Sequence, residues 1–416
     1  MTRKWFGLLA VLIVAGLLLA PGCGQKKAER KPAEKKPRIA FALADMRRDG
    51  NQAVRKAVDE AAKRDGNRIT WLDAKGDPLQ QERDIEKLLK QKVDVAVIQF
   101  ADPAGGGPLV RRLATGKVRV IALENLPPDT PVDGFITSDH RLAGQLQARF
   151  VTQRLGAGTS GRVLILQGDP ADPMAQQITE SARTYLEQNS AFTVEVKSHP
   201  RWDPKAAAAG VEEALGAGPP AAVLANESRM AMAAVEVLRT RGLHGEVLTV
   251  GVGADRTAAE ALVAGQHDAE VDVQPDMLGR FAYDAAVSTA RDRRWNYDTQ
   301  TVNGNYSIPT RIIPVRLVDS ENAFLLEERL GQAPKGGRGQ GGSQSGGGSS
   351  GGSSGGGAGG GGQGGQQQQQ KKKTRLIITT QDGKTMEMEI DGEVKKIEAR
   401  PTGAAAAGGG GQGGGT

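Results

Sequence analysis

Between Arg38 and Asp319 short, continuous apolar runs alternate with longer segments whose apolar positions recur every three or four residues. The run Ile39 to Ala44 is the first. Ala53, Val54, Ala57, Val58, Ala61 and Ala62 then share one helical face, so the pair predicts a strand running into a helix. The same reading predicts a strand over 68–73, a helix over 79–90, the strand "VDVAVIQF" ending at Phe100, a helix over 107–115, a strand over 118–123 and a short strand at "GFITS". A second series opens at "GRVLILQG". It predicts a helix over 174–188, a strand over 192–197, a helix over 204–216, the strand "AAVLAN", a helix over 228–241, the strand "EVLTVGV", a helix over 257–264 and a strand over 269–273. The strand runs do not alternate with polar residues, which is the pattern of parallel strands covered by helices on both faces. About 280 residues is too many for one such sheet and suits two lobes of roughly 140. Two parallel sheets in series leave a cleft at the carboxyl ends of their strands.

Past Gly331 no core can form. Residues 331–373 are rich in Gly, Ser and Gln and read as a flexible linker. Residues 374–400 alternate again, as "RLIITT", "KTMEMEI" and "EVKKIEA" separated by Asp-Gly turns, and predict a small antiparallel module of three strands. The tail, 401–416, reads as disordered.

At the other end Arg3 and Lys4 precede the largely apolar stretch Trp5 to Ala20, too short to span a bilayer comfortably and shaped like an export signal. An uncleaved amino-terminal anchor is the alternative. The ending "LLLAPGC" resembles a bacterial lipoprotein signal, which implies a signal peptide over 1–22, lipidation of Cys23, and a cell-envelope or periplasmic location. Gly24 after the cysteine is the pattern that favours the outer membrane where there are two. Cys23 is the sole cysteine, so neither a disulfide nor a cysteine metal site is available. The net charge of +6 does not point to nucleic acid: residues 25–38 carry seven basic and two acidic side chains, and with Arg3, Lys4 and the Lys371–Arg375 run they exceed the whole net charge. Residues 23–37 thus read as a disordered basic tether beside anionic lipid.

The order and wording of the repeated units resemble a type I periplasmic solute-binding protein of the ribose- and galactose-binding group. The matching phrases are "RIAFAL", "DIEKLLKQKVDVAVIQFAD", "VRVIALEN", "ITSDHRLAGQLQARF", "VLILQGDP", "AAVLANESRMAMAAVEVLRTRG", "LTVGVGADRTAAEALVAGQHDAEV" and "QPDMLGRFAYDAA". The resemblance implies an α/β fold of two lobes, each a parallel sheet flanked by helices, joined by a three-segment hinge over 38–319. It puts about 38–139 and 275–304 in the first lobe and about 140–274 and 305–319 in the second.

Family sites stack aromatic rings on a sugar and clamp its hydroxyls. By resemblance the ligand-binding candidates here are Arg48 and Asn51 in the opening loop, Phe100, Glu124, Asn125 and Asp139 in the first lobe, Gln176, Trp202 and Glu227 in the second, and Asp272 and Gln274 at the last crossing. The chain departs from the family where Arg48, Asp49, Gly50 and Asn51 replace the proline and phenylalanines of the opening loop, where Asn125 replaces an arginine, and where Gly253 replaces an aspartate. Trp202 keeps an aromatic wall. Glu124, Asp139, Glu227 and Asp272 outnumber Arg48 and Arg229, which predicts a ligand bearing hydroxyl or amine donors rather than an anion. His140, His199, His244 and His267 lie far apart without metal spacing and read as surface residues. "GVGAD" lacks the third glycine of a dinucleotide fingerprint, and no nucleophile elbow, zinc motif or P-loop occurs, so no catalytic residue, metal or cofactor is expected.

The expected function is extracytoplasmic binding of a small solute, a sugar or polyol, for an ABC importer, by a monomeric core tethered to the membrane through Cys23. The alternative is a ligand-sensing or envelope-interaction lipoprotein with a diverged pocket. Metabolic labelling with a fatty acid in a bacterial host should mark the protein, and Cys23→Ser should abolish the label; persistent label in that variant would contradict lipidation.

Overall fold

All five residues of strand β1 (Ile39–Leu43) are buried. Ile39, Phe41 and Leu43 point into one apolar layer and Ala40 and Ala42 into the other, as a strand covered on both faces requires. The structure, a computed structural model, describes residues 36–331 apart from 157, 190 and 293, together with 373–379 and 385–391. From β1 the chain runs through α1 (Asp49–Asp65), β2 (Ile69–Asp73), α2 (Pro78–Gln91), β3 (Val95–Ile98), α3 (Gly107–Thr115), β4 (Arg119–Leu123) and β5 (Gly134–Ser138). It crosses into α4 (His140–Leu155), β6 (Ser160–Gln167), α5 (Pro173–Asn189), β7 (Ala191–Ser198), α6 (Pro204–Leu215), β8 (Ala222–Ala225), α7 (Ser228–Thr240), β9 (Leu248–Val252), α8 (Arg256–Val263) and β10 (Ala269–Asp272). It then returns through α9 (Pro275–Asp292), β11 (Thr299–Asn303) and β12 (Tyr306–Ile313), and ends the domain with β13 (Arg316–Asp319) and α10 (Glu327–Leu330).

The first sheet has the order β11-β12-β5-β4-β3-β1-β2 and the second β13-β10-β9-β8-β6-β7. Both are parallel except at one edge: β11 is antiparallel to β12 and β13 to β10. Helices α1 and α9 cover one face of the first sheet through Val54, Val58, Leu278 and Tyr283, and α2 and α3 cover the other through Ile85, Leu88, Val110 and Leu113. Each such side chain contributes about 1.5–3 kcal/mol by leaving water.

Three segments pass between the sheets, and they are bonded to one another. The Asp139 N–H donates to Ile313 O at 3.0 Å, Ser138 Oγ lies 3.2 Å from Val273 O, and Gln274 Nε2 donates to Pro314 O at 2.6 Å. The third crossing therefore lies between Ile313 and Arg316, and the expectation that 305–319 belongs to the second lobe is corrected: β12 pairs with β5, so 305–313 extends the first sheet. This hairpin puts the polar Thr310 at a buried position and leaves Ile312 exposed, which hid it in the sequence.

Asp272, expected in the cleft, is fully buried away from it. Its oxygens accept from Arg316, directly opposite in the β10–β13 register, at 2.9 and 3.0 Å, and from Arg329 of α10 at 2.9 Å. Gln274 is spent on the hinge. Strands β14 (Lys373–Thr379) and β15 (Thr385–Asp391) pair antiparallel from Lys373↔Asp391 to Thr379↔Thr385. The expected third strand, the signal, Cys23, the tether, the linker and the tail lie outside the described residues.

Removing the Asp272 carboxylate leaves two arginines uncompensated, and breaking a buried pair from one side costs about 3–5 kcal/mol. Denaturant unfolding of Asp272→Ala should show a loss of that size; an unchanged midpoint would show that the cluster contributes nothing.

Candidate functional site

Where the strand ends of the two sheets face each other lie two adjoining chambers, an outer one of about 560 Å³ and an inner one of about 130 Å³. Arg48, Gln99, Met174, Trp202 and Arg229 line both and so stand at the boundary. The lobes touch across it: the Arg48 guanidinium carbon lies 5.7 Å from the centroid of the Trp202 ring, and the Arg256 N–H donates to Asp49 Oδ2 at 3.0 Å. Arg48 precedes α1 as its N-cap without a side-chain cap, which is why the loop can point it at the other lobe.

Glu124 follows β4 in a left-handed conformation, φ 62°, that turns its side chain under β5. Its carboxylate accepts from the Ser138 N–H at 2.9 Å and Ser138 Oγ at 2.7 Å, and Oε2 lies 2.9 Å from His140 Nε2. Burial alone would push Glu124 up, but the charge of His140 and these hydrogen bonds outweigh it and hold the carboxyl below its ordinary range. Burial likewise opposes the His140 charge, and Glu124 overrides it and raises that pKa. The pair is an internal ion pair at the first crossing, and His140, expected at the surface, is 3 % exposed. His199 and His267 are buried as well: His199 Nδ1 lies 2.9 Å from Gln167 O, and His267 bridges Thr249 and Glu270.

Asn51 lines the inner chamber, yet its Nδ2 is spent on Asp45 O at 2.8 Å and Gln99 Oε1 at 2.7 Å. Asn125 brackets the Phe100 backbone, accepting from its N–H and donating to its carbonyl, each at 2.9 Å. Phe100 itself is packed in the core layer under α3, with only an edge on the outer chamber. Asp139 and Gln176 line neither chamber. Asp139 Oδ1 caps α4 by accepting from the Leu142 N–H, and Gln176 Nε2 turns back to Pro170 O, so both expectations are corrected by local hydrogen bonding.

In the second lobe Trp202 is 4 % exposed and packs over the end of β6, where a Cβ at Gly168 would collide with the indole. The ring reaches both chambers. Glu227 Oε1 accepts from Arg229 Nε at 2.8 Å, while its Oε2 is buried without a hydrogen-bond partner. Asn226 Oδ1 accepts from the Gly168 N–H and Thr179 Oγ1, and its Nδ2 is buried without a partner. Gln99 and Asp172 were missed by sequence reasoning, His140 and Asn226 were given no ligand role, Arg229 was weighed only as a charge, and Asp255 only as a substitute for the family aspartate. Each adjoins a recognised strand end, which was the signal available.

Residues 39–293 match the family model described as a periplasmic binding protein domain. The chain belongs to that family. Among curated relatives, the ribose import binding protein of Bacillus subtilis is 23 % identical over 284 residues, covering 67 % of this chain and 91 % of the relative. The D-xylose-binding periplasmic protein of Escherichia coli is 24 % identical, covering 69 % and 88 %. Among solved structures, a Caulobacter myo-inositol binding protein aligns with a TM-score of 0.63 at 21 % identity over 73 % of this chain and 99 % of its own. A Chloroflexus aurantiacus solute-binding protein in complex with D-glucose aligns at 0.65 and 19 % identity over 71 % and 97 %. These two likenesses are of fold. In this periplasmic binding protein the aspartate nearest the Gly253 turn is Asp255, which caps α8 through the Ala258 N–H and lines the inner chamber.

Burial, then the charges of Glu270, Asp49 and Glu227, push Asp255 up from 3.8 to about 6 against its cap bond. The folded protein thus holds a proton that the unfolded chain releases near 3.8. The stability this proton confers is whole below that value and lost as pH rises through about 6. Denaturant melts from pH 4 to 7.5 should show the loss in the native protein and a flatter profile in Asp255→Asn; parallel profiles would contradict the shift.

Proposed function

We propose that the cleft binds one sugar or sugar-like polyol and that closure of the lobes presents it to a membrane importer of the ABC type. The observation that carries the reading is the convergence, on one chamber beside a three-segment hinge, of an apolar indole face with buried polar atoms that have no protein partner. Trp202 supplies the face, and Asn226 Nδ2 and Glu227 Oε2 supply a donor and an acceptor. A hydroxyl satisfies both kinds of group, and an aromatic wall favours the C–H face of a ring. Membership in the family and the ribose-, xylose-, inositol- and glucose-binding proteins it resembles support the same class. The expected polar partners of the ligand shift accordingly, from the acceptor Glu124, which is committed to His140, to the acceptor Glu227 and the donor Asn226. An extracytoplasmic location and attachment through Cys23 belong to this proposal.

A sensing or envelope-interaction role is the second reading. It is favoured by the hairpin of β14 and β15 beyond the linker and by the opening loop, where Arg48 stands in place of an aromatic ring.

Thermal melts with sugars, polyols, nucleosides and amino acids test the first reading. A bound solute at a hundred times its Kd adds about 2.7 kcal/mol to stability, so the midpoint should rise with a sugar or polyol and stay put with the other classes. A rise confined to amino acids or nucleosides would refute the polyol. Trp202→Ala, checked for folding by its own melt, should weaken binding by about 1.5–3 kcal/mol in calorimetry through lost apolar contact; undiminished affinity would show that the indole only packs on β6.

A further inference from the structure

We propose that the solute is a sugar acid, an aldonate or uronate, whose carboxylate is held in the inner chamber by Arg48 with Asn226. The inference rests on the polyol-binding reading above and narrows it.

Pairing within the cleft is what decides the charge of the ligand. Of the four carboxylates weighed from sequence, Asp272 and Asp139 line neither chamber, Glu124 is compensated by His140, and Glu227 is paired with Arg229 at 2.7 Å. These four therefore contribute little net negative charge to the chambers, and the proposal departs from the expectation of a non-anionic ligand. Of the remaining inner carboxylates, Asp49 accepts from the Arg256 N–H and Asp255 caps α8.

Three of the cations are held by carboxylates. Arg47 is held by Asp45 through two bonds of 2.8 and 2.9 Å, Arg229 by Glu227 and His140 by Glu124. Arg48 is the cation of the inner chamber that has no ion pair among the described residues, and its buried Nε has no hydrogen-bond partner. Asp45 is already occupied by Arg47. Asp172, the other carboxylate near Arg48, accepts from the Met174 N–H, and burial pushes it up, which weakens its charge.

Unpartnered donors accompany that charge. Asn226, 3 % exposed, lines the chamber with an Nδ2 that meets no acceptor. Helices α1 and α7 both begin at the chamber with no side-chain cap, with Asp49 in the first turn of one and Glu227 just before the other, so their first N–H groups add donors to the same space. By contrast α4 and α8 are capped by Asp139 and Asp255. A guanidinium, a carboxamide NH₂ and two uncapped helix starts form a donor surplus that a carboxylate satisfies and a neutral hydroxyl leaves partly unmet. Glu227 Oε2 remains for a hydroxyl of the same ligand.

Calorimetric titration of the mature full chain with D-gluconate and D-glucuronate, beside D-glucose and D-glucosamine, tests this. The better of the two acids should bind about tenfold more tightly than glucose, the amine more weakly still, and added salt should narrow the gap. Arg48→Gln, folded by its melt, should bring the acid to the level of glucose, and Arg48→Lys should keep part of the advantage. Glucose binding as tightly as both acids overturns the sugar acid and leaves the polyol reading intact; an acid advantage that survives in folded Arg48→Gln overturns the role of Arg48. If neutral sugars, polyols and acids all fail to bind, the polyol reading falls and this inference with it.

Discussion

A charge taken out of water must be met by another charge or by hydrogen bonds, and most of this cleft is arranged around that requirement. Parallel strands end in loops that converge on the space between the lobes, and this chain places carboxylates at several of those ends. Glu124 is met by His140 and Ser138, Asp45 by Arg47, Glu227 by Arg229, and Glu270, behind the chamber, by Ser228, His267 and the Ala254 N–H. Once those pairs are formed, the inner-chamber polar atoms left without a hydrogen-bond partner among the described residues include Arg48 Nε, His140 Nδ1, Asn226 Nδ2 and one oxygen of Glu227.

The same requirement ties the site to the hinge. Glu124 and His140 flank the first crossing, Ser138 bonds both to Glu124 and to the carbonyl of Val273 in the second, and Asp139 bonds to Ile313 at the third. A change in how the lobes meet therefore acts on the hydrogen bonds that keep Glu124 ionised. Asp272 anchors the last part of the domain through Arg316 and Arg329, so α10 is bound to the strand that leads into the second crossing. The contacts across the mouth, Arg48 over Trp202 and Asp49 with the Arg256 N–H, are few by comparison, as closure around a solute requires.

Strands β1 to β10 were legible because a doubly covered strand must be apolar throughout; the edge strands β11 and β13 and the neighbouring β12 were not. The helices after Asp77, Asp203 and Asp255 were predicted as well, and in each the aspartate oxygen accepts from an N–H two or three residues on; the helix that Asp139 caps was not predicted. The site was harder to read. Asp272 looked like a ligand because it ends a strand at the expected place, but one of its partners, Arg329, lies past the last recognised unit. Asp139 satisfied a helix instead of a solute, and Asn125 a backbone. Whether a polar side chain is free for a ligand depends on partners far away in sequence, and local pattern carries no trace of them. His140 was misread for that reason: its partner Glu124 sits across a β-strand connection, and the pair makes sense only once β4 and β5 are side by side.

In the proposed function the solute binds against Trp202, at the boundary of the two chambers. That placement is tested most directly by leaving Trp202 as the sole tryptophan, with Trp5, Trp71 and Trp295 changed to phenylalanine, and following its emission while titrating the solute that stabilises the protein. The account predicts a saturable change whose midpoint equals the calorimetric Kd. Saturable heat with no change in Trp202 emission would place the solute elsewhere and contradict it.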